Sequence, residues 1–217
     1  MATTTSRSHW AHDDPVTPSP TPELAAHKRA LRSAARARRQ ERSRADADDW
    51  AQALVAASTR EPLRSASSVA AFIGVGDEPD TLPLVRELYG RGVRVLLPVV
   101  LSDLDLEWAV FTGPQDLVAG PKGLREPSAP RMGRDAISTV EVVLVPALAV
   151  DHLGRRLGQG GGCYDRALRR VPDSVPLLAV VFDDEIVDEL PEEAHDRRVT
   201  GRLGARITPG PPTSPPS

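Results

Sequence analysis

The stretch of this sequence richest in residues that could do chemistry is RLGQGGGCYDR, Arg156 to Arg166. Four of the five positions from Gly158 to Gly162 are glycine, more than packing alone would require. Glycine reaches left-handed backbone and lets a ligand approach the main chain closely, and successive amides ahead of a helix form a concave anion site. The chemistry this suggests is phosphate binding; the plain alternative is a surface loop, since glycine is common turn material. A Walker A loop is excluded because no lysine follows the glycines. A dinucleotide fingerprint begun at Gly158 puts Cys163 at its third glycine, and one begun at Gly160 puts Asp165 there. Asp183, about 20 residues on, nevertheless matches the ribose-binding acid of such folds, so a nicotinamide-dinucleotide enzyme stays open.

The elements that would position this loop can be read from periodicity and caps. A helix is predicted from Pro22, with Thr21 as N-cap, proline at the first helical position and Glu23 complementing the dipole. It runs on through Leu24 to Arg44, a stretch rich in Ala, Leu and Arg. A second helix from about Ala45 carries Trp50, Ala51, Leu54 and Val55 on one face and is ended by Pro62. Strands are predicted at Ser68 to Gly74, Val93 to Val100, Leu106 to Thr112, Val140 to Val150 as one long apolar strand, and Leu177 to Phe182. Helices are predicted at Thr81 to Leu88, capped by Asp80 or Thr81, and at Tyr164 to Arg170. This alternation predicts an α/β fold, a mostly parallel sheet with helices on both faces behind an N-terminal helical segment, with ligands bound beyond the carboxyl ends of the strands.

Length and composition set the outer limits. The 217 residues are 40% hydrophobic, enough for one core, and a single α/β domain over 23–208 is predicted between a Thr/Ser/Pro-rich extension at 1–22 and a Pro-rich tail at 209–217, both expected to be disordered. The longest mostly apolar stretch, Val142 to Val150, is under half the length of about 20 residues that a membrane-spanning helix needs. One cysteine, Cys163, permits no intrachain disulfide, and the N-terminus lacks the apolar core of a signal peptide, so a cytoplasmic protein is expected. A net charge of −3 argues against a large nucleic-acid footprint, although the basic run from Lys28 to Arg44 could form a nucleic-acid arm or, more plainly, a solvated helix face.

Taken together, these segments resemble the 5-formyltetrahydrofolate cyclo-ligase (methenyltetrahydrofolate synthetase) family. Arg156 to Arg166 is similar to that family's R-L-G-x-G-x-G-Y-Y-D segment. Lys28 to Arg32 (KRALR), Gly76 to Thr81 (GDEPDT), Gly123 to Pro127 (GLREP), and His195 with Asp196 resemble other family segments in family order. The resemblance covers Glu23 to Thr208 and implies an ATP- and Mg²⁺-dependent closure of 5-formyltetrahydrofolate to 5,10-methenyltetrahydrofolate. In the family's mechanism ATP phosphorylates the formyl oxygen, the anilino nitrogen attacks the activated carbon, and phosphate leaves. Phosphoryl transfer of this kind needs positioning and charge stabilisation more than covalent help.

By the same resemblance, Lys28 and Arg32 contact the nucleotide phosphates, and the segment holding Arg156, Gly158, Gln159, Gly160, Gly161, Gly162, Cys163, Tyr164 and Asp165 forms the ATP loop. Asp165 and Asp196 bind Mg²⁺. Ile73 and Glu78 meet the folate, and Gln159 to Cys163 also line its pocket. Cys163 departs from the family, standing where the first tyrosine of Tyr-Tyr-Asp is found, and a nucleophilic role for it has no base in support. A non-catalytic nucleotide-binding protein of the same fold is the alternative. Taken singly, Glu78 and Asp77 could be solvated carboxylates, Asp165 a helix-start residue, His195 and Asp196 a turn, and Ile73 a core residue. Lys28 and Lys122 are the only lysines among 27 basic residues, so Lys28 is expected to resist replacement by arginine, whereas Arg38 and Arg39 are expected to tolerate lysine.

Overall fold

The chain enters its first helix where the sequence places the cap. In the computed structural model, which describes residues 21–193, 196–204 and 207–209 (of 122 and 207–209, the backbone alone), Thr21 Oγ1 accepts from the Leu24 amide at 3.3 Å and α1 spans Pro22–Glu41. The expected extension and tail lie almost wholly outside the described residues, as does His195. Ser43 then accepts from the Asp46 amide at 3.1 Å and opens α2, Arg44–Ala57. This second cap ends α1 three residues before Arg44, and α2 stops short of Pro62.

The remaining elements are β1 (Ser68–Ala70), α3 (Leu82–Gly90), β2 (Arg94–Val100), β3 (Leu106–Val110), β4 (Leu117–Ala119), β5 (Arg125–Pro127), β6 (Val142–Pro146), β7 (Ala149–Asp151), β8 (Arg156–Leu157), α4 (Cys163–Leu168), β9 (Leu177–Val180), β10 (Ile186–Val187), β11 (Gly201–Leu203) and β12 (Ile207–Pro209). Seven of the strands form the main sheet in the order β12-β11-β9-β6-β1-β2-β3. Pairing is parallel between β2 and β1, β1 and β6, β6 and β9, and β9 and β11, and antiparallel at both edges. The mixed α/β architecture with a largely parallel sheet is therefore as predicted.

Strand alternation distributes the core over two faces. Val69, Val95, Leu97, Val142, Leu144, Leu178 and Val180 pack with Leu54 of α2 and with Leu84, Val85 and Leu88 of α3. Ala70, Leu96, Val143, Val145, Leu177 and Ala179 face the other way, against Ala167 and Leu168 of α4 and against Ala136 and Ile137. Helix α1 covers neither face. Through Leu31 and Ala35 it packs on Leu148, Ala149, Leu157 and Leu190, over the small sheet β10-β7-β8.

The single long strand expected from Val140 to Val150 is two strands in two sheets. Pro146, which has no amide to donate, ends β6 opposite Val180. The chain bends at Ala147, whose carbonyl accepts from Arg39 Nη2 at 2.6 Å, and β7 pairs antiparallel with β8. The strand expected from Ser68 to Gly74 is likewise shortened to Ser68–Ala70, because Thr81 Oγ1 takes the Phe72 carbonyl and accepts from the Gly74 amide at 3.1 Å, turning the chain out of the sheet. This use of Thr81 leaves α3 to be capped by Asp80, whose Oδ1 accepts from the Leu82 amide at 3.0 Å.

From β1 the chain builds outward to β2 on one side, then from β6 to β9 and β11 on the other. The strand order therefore reverses between β1 and β6. In open α/β sheets, ligands bind at such a reversal, outside the carboxyl ends of the strands.

Candidate active site

A cleft of about 1240 Å³ opens at that reversal, lined by Phe72 and Ile73 after β1, Val100 at the end of β2 and Pro146 at the end of β6. Helix α1 closes one side with Lys28, Arg32 and Arg36, which recur every four residues and so share a face. The glycine loop between β8 and α4 closes another side. All fourteen residues proposed from the sequence line this one cleft. Asp183, the acid that kept the dinucleotide reading open, is not among its lining residues.

Arginines hold the glycine loop by its carbonyls. The Gly158 carbonyl accepts from Arg32 Nε at 2.9 Å, that of Gln159 from Arg36 Nη2 at 3.2 Å, and that of Gly161 from Arg166 Nη2 at 2.8 Å. In a trans peptide the amide following a carbonyl points the opposite way. The amides of Gln159, Gly160 and Gly162 are thus turned away from the arginines, and among the described residues they donate to no acceptor. Gly160 and Gly162 have φ of 100° and 68°, backbone that L side chains rarely adopt. A Cβ at Gly160 would also lie 3.3 Å from the Arg32 guanidinium carbon, and one at Gly162 would lie 3.0 Å from Arg166 Nη1. Glycine is needed here for the turn and for arginine side chains that pack directly on the backbone.

Arg32 uses only its Nε, so both its Nη groups are without an acceptor among the described residues. Lys28 is buried and its Nζ bonds Glu193 Oε1 at 2.7 Å and Asp196 Oδ2 at 2.8 Å. Burial pulls the Lys28 pKa down, but the hydrogen bonds to Asp196 and Glu193 and their charges outweigh it and leave the pKa raised. Asp165 is ion-paired with Arg156, and Asp196 also accepts from the Glu193 amide at 2.9 Å. A magnesium ion asks for oxygen donors and shares its shell with phosphates and water. The carboxylates of Asp165 and Asp196 fit that chemistry, although each is engaged by a cation, and the described residues contain no group of three or more candidate ligands.

On the opposite wall, Gln159 Nε2 donates to Glu78 Oε1 at 3.0 Å and Gln159 Oε1 accepts from Arg36 Nη2 at 2.9 Å. A polar chain therefore runs from α1 through the loop to the turn after β1. Ile73 is buried at its end, beside the apolar Val100, Leu101, Leu104 and Leu124. Tyr164 stands edge-on to Trp108 with centroids 6.4 Å apart, and its hydroxyl is shielded from solvent and has no hydrogen-bond partner among the described residues. Burial, helped by the Glu78 charge, raises its pKa and keeps it protonated. Cys163 is half-buried and free.

Arg36, Arg166 and Glu193 are site residues that sequence reasoning missed. Arg36 could have been found, since it continues the four-residue spacing of Lys28 and Arg32. Glu193 carried no signal beyond lying three residues before Asp196. Arg39, expected to tolerate lysine, is instead buried against Glu185, with Nε to Oε1 at 2.5 Å and Nη2 to Oε2 at 2.8 Å. The basic run of α1 is largely engaged within the protein, and none of the described helices is long and apolar enough to cross a membrane.

Fold and site define a doubly wound α/β protein whose switch-point cleft joins a glycine-rich loop held by cationic side chains to an apolar wall. The model of the 5-formyltetrahydrofolate cyclo-ligase family matches residues 24–202, and the chain belongs to that family. It is 45% identical over 141 residues to the 5-formyltetrahydrofolate cyclo-ligase of Mycolicibacterium smegmatis, covering 63% of this chain and 72% of the relative. The Escherichia coli protein of the same name is 32% identical over 148 residues, covering 67% and 81%. The solved 5,10-methenyltetrahydrofolate synthetase of Aquifex aeolicus shares the fold, with a TM-score of 0.73 at 24% identity over 88% of this chain and 96% of that one.

Proposed function

We propose that this cleft carries out the ATP-dependent cyclisation of 5-formyltetrahydrofolate to 5,10-methenyltetrahydrofolate, releasing ADP and phosphate. The observation that carries the reading is the glycine loop, whose carbonyls are held by Arg32, Arg36 and Arg166 while the amides of Gln159, Gly160 and Gly162, which have no acceptor among the described residues, are available to an anion. Those amides, the free Nη groups of Arg32, and Lys28 receive the triphosphate. Arg156 holds Asp165 at the start of α4, and Cys163 and Tyr164 complete the loop's far end. Asp165 and Asp196 would hold Mg²⁺, which when bound neutralises phosphate charge. Ile73, Glu78 and the loop from Gln159 to Cys163 receive the folate.

The formyl oxygen attacks the γ-phosphorus and ADP departs. The anilino nitrogen then closes on the formyl carbon and loses its proton, and phosphate leaves with the former formyl oxygen. The residues of this chain align the two substrates and supply positive charge where the phosphoryl oxygens gather. The apolar wall of Val100, Leu101, Leu104 and Leu124 keeps water from the activated formyl group, which hydrolysis would otherwise consume.

Phosphate release from ATP, followed with and without 5-formyltetrahydrofolate, tests the reading. Release is expected only when both are present. ATP binding with no folate-dependent release would instead favour a non-catalytic nucleotide-binding protein.

A further inference from the structure

One side chain joins the two lips of the cleft. Arg166, on α4, donates from Nη2 to the Gly161 carbonyl in the glycine loop at 2.8 Å and to the Leu104 carbonyl in the β2–β3 turn at 2.7 Å. Leu104 is the one non-glycine residue with left-handed backbone among the described residues, at φ 62°. Its side chain is 42% exposed and lines the cleft. A leucine held in that conformation over a cleft needs surroundings that enforce it.

Those surroundings are visible. The Leu104 amide donates to the Leu101 carbonyl at 3.0 Å, and the Leu101 amide to the Asp105 carbonyl at 3.0 Å. The buried Asp105 carboxylate accepts from Arg170 Nη2 at 2.6 Å and from Arg134 Nη1 at 3.0 Å. Arg170 follows Arg166 by four residues, so α4 and the turn after it present two guanidinium groups to the β2–β3 turn. Arg170 fixes the base of the turn, and Arg166 fixes its tip together with the loop. The Nε of Arg166 is shielded from solvent and has no acceptor among the described residues, and the hydrogen bonds the group makes there are those of Nη2 to these two carbonyls.

We infer that Arg166 is a positioning residue that couples the phosphate-binding loop to the apolar wall. Its hold on Gly161 turns the Gly162 amide away from the guanidinium, and its hold on Leu104 keeps that side chain over the cleft. The inference rests on the proposed function for the identity of the two ligands. One side chain serves both lips, so its loss weakens both ligands together. Both bonds come from the terminal Nη2, one atom farther from the backbone than a lysine Nζ, so lysine keeps the charge but reaches the two carbonyls less well.

The test is calorimetric titration of ATP and of 5-formyltetrahydrofolate, each alone, into wild type, Arg166→Met and Arg166→Lys, alongside turnover and thermal midpoints. Arg166→Met is expected to weaken both ligands by about tenfold, the effect of losing a charge-assisted hydrogen bond, with its thermal midpoint close to wild type. Arg166→Lys is expected to recover part of the loss, and it serves as the test variant should the methionine variant fail to fold. Unchanged affinity for both ligands, weakening of only one, or a fallen midpoint with intact affinities would each overturn the inference. If wild type binds both ligands but forms no product, the proposed activity falls, while the affinities still decide the role of Arg166.

Discussion

Lys28 stands between two carboxylates, and that position explains why a chain so biased toward arginine keeps a lysine there. A compact ammonium can bond Glu193 and Asp196 at 2.7 and 2.8 Å in a buried site and still has a third N–H for a phosphate. A guanidinium, broader and planar, cannot take that place without spreading the carboxylates. Lys28→Arg is therefore expected to raise the KM for ATP or lower kcat, by about tenfold, while Arg38→Lys on the exposed side of the same helix stays near wild type. Steady-state kinetics of the two variants decides this, and equal ATP kinetics for Lys28→Arg and wild type would make the lysine incidental. At this scale the sequence was informative where residue types are unusual: the glycine cluster, the rare lysine and the acids nearby all line the cleft. Arg166 was legible as the end of a motif but not as a strap, because Leu104, its other partner, lies 62 residues away in sequence.

Helix α1 matters as an element because it brings Lys28, Arg32 and Arg36 to the loop, and its own packing is slight. Only Leu31 and Ala35 reach the small third cluster. Its placement depends on Arg39, whose guanidinium bonds both oxygens of the fully buried Glu185 and the Ala147 carbonyl at the bend between β6 and β7. Glu185 also accepts from the Phe182 amide at 3.0 Å, so the group pins α1 to the ends of β6 and β9. Removing one partner of a buried pair strands the other. Arg39→Met is expected to cost about 3–5 kcal/mol, and the double variant Arg39→Met/Glu185→Leu to recover most of it. Denaturant unfolding checks both, and a double variant as unstable as the single one would show that the charges themselves are needed. The start of α1 was legible from its Thr21 cap, whereas the Ser43 cap that opens α2 was not legible, because the helix-forming run continues through it to Arg44. The break after Pro146 was not, because the apolar run continues through Ala147 to Val150 and only the pairing of β7 with β8 separates the two strands. The two-residue strands β8 and β10 carry too little pattern to be seen at all.

For the molecule as a whole, the alternation of strand-like with helix-like segments revealed the class of fold, while the order of strands was beyond reach because it is set by pairings distant in sequence. The reversal between β1 and β6 that locates the cleft belongs to that hidden part. A global property that the fold does expose is its acid limit. Burial raises the Asp105 pKa, but hydrogen bonds from Arg170 and the Leu106 amide, with the charges of Arg170 and Arg134, outweigh this and leave it lowered. Asp105 thus contributes stability that is complete above its unfolded value of about 3.9 and is lost as pH falls through the lower folded value. Asp105→Asn is expected to be less stable than wild type at neutral pH and to converge toward it below about pH 4. Unfolding curves at a series of pH values show this, and a gap independent of pH would contradict the assignment.

The central claim is that this cleft uses ATP to close a folate ring, and the most direct measurement is the absorbance of the methenyl product formed from 5-formyltetrahydrofolate by the purified chain, with ATP present and with ATP omitted. Product is expected only with ATP, accompanied by an equal amount of ADP. No product in the presence of ATP, or product at the same rate without it, would contradict the account.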